Sequence, residues 1–310
     1  MSSLAPAVDA GLKSVLVAFD FSQASQKPLH HALAVARHYK AKFYLAHVVS
    51  ALGYSIAGKQ ALELGVEAAQ RDAQKLEHEL LENGSLTGLE HEFIVRDGNI
   101  GEQLELILKQ KQVDLVVVGT HGRGSLGKLL LGSVAEQIFR HADCLVATVG
   151  PGSHDDSLVE KTQGVRSFLF PTDFSDASLH ALPHAISFAN HFGAKLVVLH
   201  VLPAIPVPEG FHWSTTGDLP QMREEAQTDS QGRFKELNLQ KVPMAIQPEV
   251  LVKFGLRGDQ ILLASRELKT DLIILGLKRR THVETASHMP WDTAYEVVRH
   301  AHCPVLTIRS

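Results

Sequence analysis

One stretch of this chain is written twice. Residues 14–25, SVLVAFDFSQAS, return at 167–178 as SFLFPTDFSDAS, which aligns Asp20 with Asp173 at an offset of 153. The same offset joins Ala41-Lys42 to Ala194-Lys195 and His47-Val48 to His200-Val201. Near the two ends Arg140-His141-Ala142-Asp143-Cys144 matches Arg299-His300-Ala301-His302-Cys303 at an offset of 159, so the extra residues lie in the second copy. A repeat of this length is far longer than a solenoid unit, which runs roughly 20–50 residues, and is the size of a whole domain. The 310 residues are therefore read as two copies of one domain, residues 1–150 and 165–310, joined by the polar, poorly periodic stretch 151–164.

Each copy alternates short apolar runs with longer amphipathic ones. In the first, strands are expected at 15–19, 42–49, 90–96, 114–119 and 144–149, and helices at 28–39, 57–82, 100–111 and 133–141. The second repeats the order, with strands at 167–171, 195–201, 245–253, 271–276 and 304–308 and helices at 176–191, 218–237, 258–268 and 291–300. Strands that are apolar throughout, separated by helices, are strands buried on both faces, and that is a parallel α/β sheet.

Composition narrows the partners. A formal net charge of −4 supplies no general attraction to nucleic acid or to an anionic membrane. Apolar runs such as 115–118 fall far short of the roughly 20 residues a membrane-spanning helix requires. Cys144 and Cys303 form no CxxC pair and are expected as small residues at the starts of buried strands. The opening Met-Ser-Ser-Leu-Ala-Pro has no basic segment leading into an apolar core, and a cytoplasmic setting is expected.

The segment that points to chemistry is GTHGRGSLGKLLLGSVAE, residues 119–136, which follows the fourth strand and runs into a helix. Gly119 and Gly122 let main-chain amides approach an oxyanion with no Cβ in the way. Gly132-Ser133 opens the helix, whose unpaired N–H groups and positive dipole end favour phosphate, and Ser133 would add a hydroxyl contact or cap the helix. Gly122 to Lys128 also has GxxxxGK spacing, but Leu129 stands where a P-loop needs Ser or Thr for magnesium.

This pattern (Gly, two residues, Gly, nine residues, Gly-Ser) resembles the ATP-binding signature of the universal stress protein family, and the likeness covers nearly the whole chain twice. The resemblance implies two repeated five-stranded parallel-sheet sandwiches of strand order 3-2-1-4-5, adenine nucleotide alpha hydrolase-like and Rossmann-like. Residues 1–150 would be the ATP-binding domain. Carried over by position, Ala18, Phe19 and Asp20 would line the adenosine end, Val48 would touch the base, and Val118 and Gly119 would flank ribose and phosphates. Gly122, Gly132, Ser133 and the Val134 amide would hold the phosphate chain, with ATP, accompanied by magnesium or not, as the ligand. Arg123, Lys128 and His121 lie in the same loop. Phe19 stands where many relatives have Thr, and its bulk would narrow the adenosine pocket. The resemblance also implies dimerisation through the last strands, met inside this chain as a pseudo-dimer or between two chains.

The second copy keeps Pro171-Thr172-Asp173 and Gly276 but has Arg279 for the second glycine, and Met289-Pro290 or Trp291-Asp292 for Gly-Ser, so its phosphate loop is degenerate. Of 18 histidines, several recur across the repeat (His31 with His184, His47 with His200), as inherited structural positions do. No nucleophile elbow or metal-ligand cluster stands out, so neither catalytic nor metal residues are assigned. Three readings remain open here: a regulatory ATP-binding stress protein with hydrolysis absent or slow, a magnesium-dependent ATPase or phosphotransferase, and a nucleotide-free interaction scaffold.

Overall fold

The computed structural model describes residues 11–54, 58–120, 131–153, 166–204, 218–242, 244–278 and 290–310, without the side chains of residues 218–220, 222, 241 and 290–292. Gly122, His121, Arg123, Lys128, most of the linker, Arg279 and Met289 lie outside the described residues, as do the side chains of Trp291 and Asp292.

By contacts the chain forms two units. The first comprises the described residues of Gly11–Gln163 together with Val298–Ile308. Its elements are β1 (Ser14–Ala18), α1 (Gln26–Tyr39), β2 (Lys42–Ser50), α2 (Lys59–Glu82), β3 (His91–Gly98), α3 (Ile100–Gln110), β4 (Leu115–Gly119), α4 (Ser133–His141) and β5 (Leu145–Val149). The strands lie in the order β3-β2-β1-β4-β5, all parallel. Val15, Leu16 and Val17 are fully buried, and each such side chain stabilises the fold by about 1.5–3 kcal/mol relative to exposure. The Asp114 carboxylate before β4 accepts the main-chain N–H groups of Lys13 (2.7 Å) and Ser14 (3.0 Å), which locks the starts of β1 and β4 together. Asn99 caps α3 by accepting from the amides of Gly101 and Glu102.

The second unit contains β6 (Ser167–Pro171), α5 (Asp176–Phe192), β7 (Lys195–Leu202), α6 (Asp218–Glu236), β8 (Glu249–Phe254), α7 (Arg257–Glu267) and β9 (Leu272–Leu277). Its strands run in the order β9-β6-β7-β8 and are parallel. Asp271 repeats the Asp114 lock by accepting from Ser167 N–H at 2.8 Å. α5 closes on Gly193 at φ 56°, a left-handed position where glycine has no steric penalty.

α8 (Pro290–His300) leads into β10 (Val305–Arg309). β10 pairs antiparallel with β5, Val305 opposite Thr148 and Thr307 opposite Val146, and in the strand order it stands between β5 and β9.

The expected α/β alternation and the 3-2-1-4-5 order are present, with shifts at element ends. β8 starts at Glu249 rather than 245, because Pro248 has no N–H to give a ladder. The cysteines do not start strands. Cys144 is half-buried and precedes β5, whereas Cys303 is buried two residues before β10.

Candidate functional site

In the first unit the helices after β1 and β4 leave the sheet where its strand order reverses, and a cleft opens beyond the carboxyl ends of the strands at that point. Its volume is about 840 Å3, within the roughly 300–1,000 Å3 typical of small-molecule clefts. Ala18, Phe19 and Asp20 enter it from the end of β1, Val48 from β2, and Val118 and Gly119 from β4. Gly132, Ser133 and Val134 border it at the start of α4. The structure thus brings nine of the ten residues singled out in the sequence to one cleft, and the tenth, Gly122, is outside the described residues.

Two edges of this cleft offer main-chain hydrogen bonds. β1 ends at Ala18, opposite Ala46, and Phe19 N–H donates to Ala46 O at 2.9 Å. Alternation along a parallel strand then directs the N–H and C=O of Val48 to the same side, past the last residue of β1. A donor and an acceptor side by side match the edge of a purine base. At the other edge, the first-turn amides of α4 (Ser133, Val134 and Ala135) have no intrahelical acceptor, and the positive end of the helix dipole faces the cleft there.

Gly132 plays a different part from the one its motif suggested. Its N–H donates to Thr120 O at 2.8 Å, which ties the helix mouth to the end of β4, while its carbonyl accepts from Glu136 N–H. Gly132 is the N-cap residue and Ser133 the first helical residue, with no side-chain cap bond. Ser133 therefore does not cap the helix. The hydroxyl is on an exposed residue at the cleft margin.

The floor is held by an aromatic clamp. His47 Nδ1 lies 2.7 Å from Phe19 O, and the His47 ring meets Phe21 edge-on at 4.8 Å. Phe21 has φ 58°, a left-handed conformation costly for a bulky residue, and Phe19 supports its ring from behind at 5.2 Å. Phe19 is 3% exposed, with main-chain N–H and C=O both bonded, so it lines the cleft as a wall rather than as a free contact. Asp20 Oδ1 accepts from Ser22 N–H (3.0 Å) and Ser22 Oγ (2.6 Å), a turn-forming role rather than a cap of α1.

Sequence inspection missed the wall supplied by α2. Gly65, Ala68, Ala69 and Asp72 line the cleft, and Tyr54 lies against Gly65 so closely that a Cβ there would sit 2.6 Å from its hydroxyl. The available signal was small residues at helical spacing within an otherwise long-chained, polar helix. Among the described lining residues the carboxylates are Asp20 and Asp72, so an anion at α4 would be held by amides and the helix dipole.

Among the described residues, no group of three or more His, Cys, Asp or Glu is placed to hold a metal ion, and no helix is long and apolar enough to cross a membrane.

Fold and cleft together define the class, a doubly wound parallel α/β protein built twice, with an open ligand cleft at the switch point of its first unit. A family model for the universal stress protein family matches residues 11–150 and again residues 164–309. The chain belongs to that family. A universal stress protein of Methanocaldococcus jannaschii is 29% identical over 147 residues, covering 46% of this chain and 82% of that protein. One of Mycolicibacterium smegmatis is 29% identical over 216 residues, 66% of each chain. The crystal structure of a universal stress protein from Archaeoglobus fulgidus superposes with a TM-score of 0.64 at 18% identity, covering 96% of this chain and 98% of that one, and it supports the fold.

Proposed function

We propose that the first unit binds an adenine nucleotide, ATP with or without magnesium, and that the chain acts as a nucleotide-responsive regulator in the stress response. The observation that carries this reading is the pairing, in one cleft, of the unmatched Val48 peptide edge with the unpaired amides of Ser133, Val134 and Ala135. The first suits a base and the second a polyphosphate, and the cleft joins them. Asp20 and Asp72 are carboxylate acceptors suited to ribose hydroxyls between the two ends.

Binding rather than turnover is the activity proposed, with the nucleotide acting through conformation or association. The antiparallel pairing of β10 with β5 supports the view that the edge of β5 finds its strand partner within the chain.

Gly132→Asp is the discriminating variant. Gly132 sits at φ −58°, ψ 143°, where Asp is a favoured N-cap, so the substitution keeps helix stability or raises it by only a few tenths of a kcal/mol. Its carboxylate would repel phosphate at the helix mouth. Calorimetric titration should show ATP affinity falling by about tenfold or more, a coupling of roughly 1.4 kcal/mol, with adenosine affinity nearly unchanged. Equal ATP affinity in both proteins would defeat the phosphate assignment, and ATP turnover abolished by the same variant would make the protein an enzyme.

A further inference from the structure

The second unit builds the same clamp and then closes it. His200 Nδ1 lies 2.8 Å from Thr172 O, as His47 does from Phe19 O, and Phe174 repeats the left-handed conformation of Phe21 at φ 60°. The His200 and Phe174 rings meet at 4.7 Å. In the first unit the space before this clamp is open cleft, bordered on α2 by Ala68 and Ala69.

In the second unit that side belongs to α6, which like α2 lies between the second and third strands of its unit. Of the α2 residues that line the cleft Ala69 is buried, whereas α6 buries Phe234 against the clamp of its own unit. The Phe234 ring stands edge-on to Phe174 at 5.1 Å and to His200 at 6.5 Å, and Arg233 lies over Phe174 at 4.8 Å. Support for the strained phenylalanine has also changed sides. The first unit supplies it from Phe19, just after β1, but the corresponding Thr172 bonds to Ser178 Oγ and Phe174 N–H instead.

We infer that Phe234 is a built-in occupant of the base pocket of the second unit, an aromatic ring of the chain standing where the first unit leaves room for a planar aromatic ligand. The unit is barred from nucleosides by its own side chain, independently of its degenerate phosphate loop. This inference rests on the reading of the first cleft only for its choice of probe.

Adenosine, which needs no phosphate loop, is that probe, used on the full chain by equilibrium dialysis. Wild type should take up one equivalent and Phe234→Ala two, because truncating a buried ring leaves a cavity shaped by Phe174 and His200. Phe192→Ala removes a buried ring of the same unit that packs on Phe168, and should gain none. A folded Phe234→Ala protein with no added equivalent, or an equal gain in Phe192→Ala, overturns the inference. Should Phe234→Ala fail to fold, Ala69→Phe decides: the ring installed in the first cleft should weaken adenosine binding by about tenfold or more, and unchanged affinity overturns the inference. If wild type binds no adenosine but Phe234→Ala binds one equivalent, the proposed function falls and the built-in occupant stands.

Discussion

At the scale of single residues, both units place a phenylalanine in a left-handed conformation and hold it there. Such a backbone costs about 1–2 kcal/mol and persists only where its surroundings over-determine it. The histidine bond to the carbonyl two residues earlier, together with ring contact, supplies that constraint at His47 and at His200. His47→Ala is expected to lower stability by about 1–2 kcal/mol in urea titration and to weaken ATP binding, since the clamp forms the cleft floor. His200→Ala should cost a similar amount and leave ATP affinity unchanged. The pairing of these histidines was visible in the repeat, but the left-handed phenylalanines were not, because no local rule favours a bulky residue there.

At the scale of elements, Gly276 looked like a relic of a phosphate loop, and the structure gives it another cause. A Cβ on Gly276 would lie 2.5 Å from Ala177 O and 2.7 Å from the Ser178 Cα, so the residue lets the first turn of α5 lie against β9. Main-chain atoms cannot rotate away as a side chain can. Gly276→Ala should therefore destabilise the second unit by about 1–3 kcal/mol, read as a lower denaturation midpoint. α5 also carries a pH dependence. Burial, and then the charge of neighbouring His180, hold His184 below its ordinary value of 6.5. The unfolded chain binds this proton first as pH falls through that value, so acid lowers stability, and the loss is complete once the folded value is passed. Urea midpoints between about pH 7.5 and about pH 5.5 should fall less steeply in His184→Gln than in wild type. Strand and helix types were legible because burial on both faces writes a continuous apolar run. The start of β8 was not, since Ala245 and Ile246 extend the apolar run toward Val250 until Pro248 is weighed.

At the scale of the whole molecule, the last strand of the chain lies in the contact unit of the first repeat. β10 covers the edge of β5, and Thr148 and Thr307, both buried, add hydroxyl bonds to Val305 O and Val146 O. A chain ended after His302 would leave β5 as an exposed apolar edge, and it should self-associate in sedimentation more strongly than the full chain. The sequence by itself determined the doubling, the strand–helix alternation and the place of the glycine loop, because periodicity, turn chemistry and repetition are properties of neighbours along the chain. Only the tertiary structure decided that the Gly132 amide is bound by the Thr120 carbonyl, that α2 forms a wall of the cleft, and that Phe234 fills its counterpart. Each of these joins residues from separate segments, and such contacts are set by how layers pack rather than by any pattern a single segment carries.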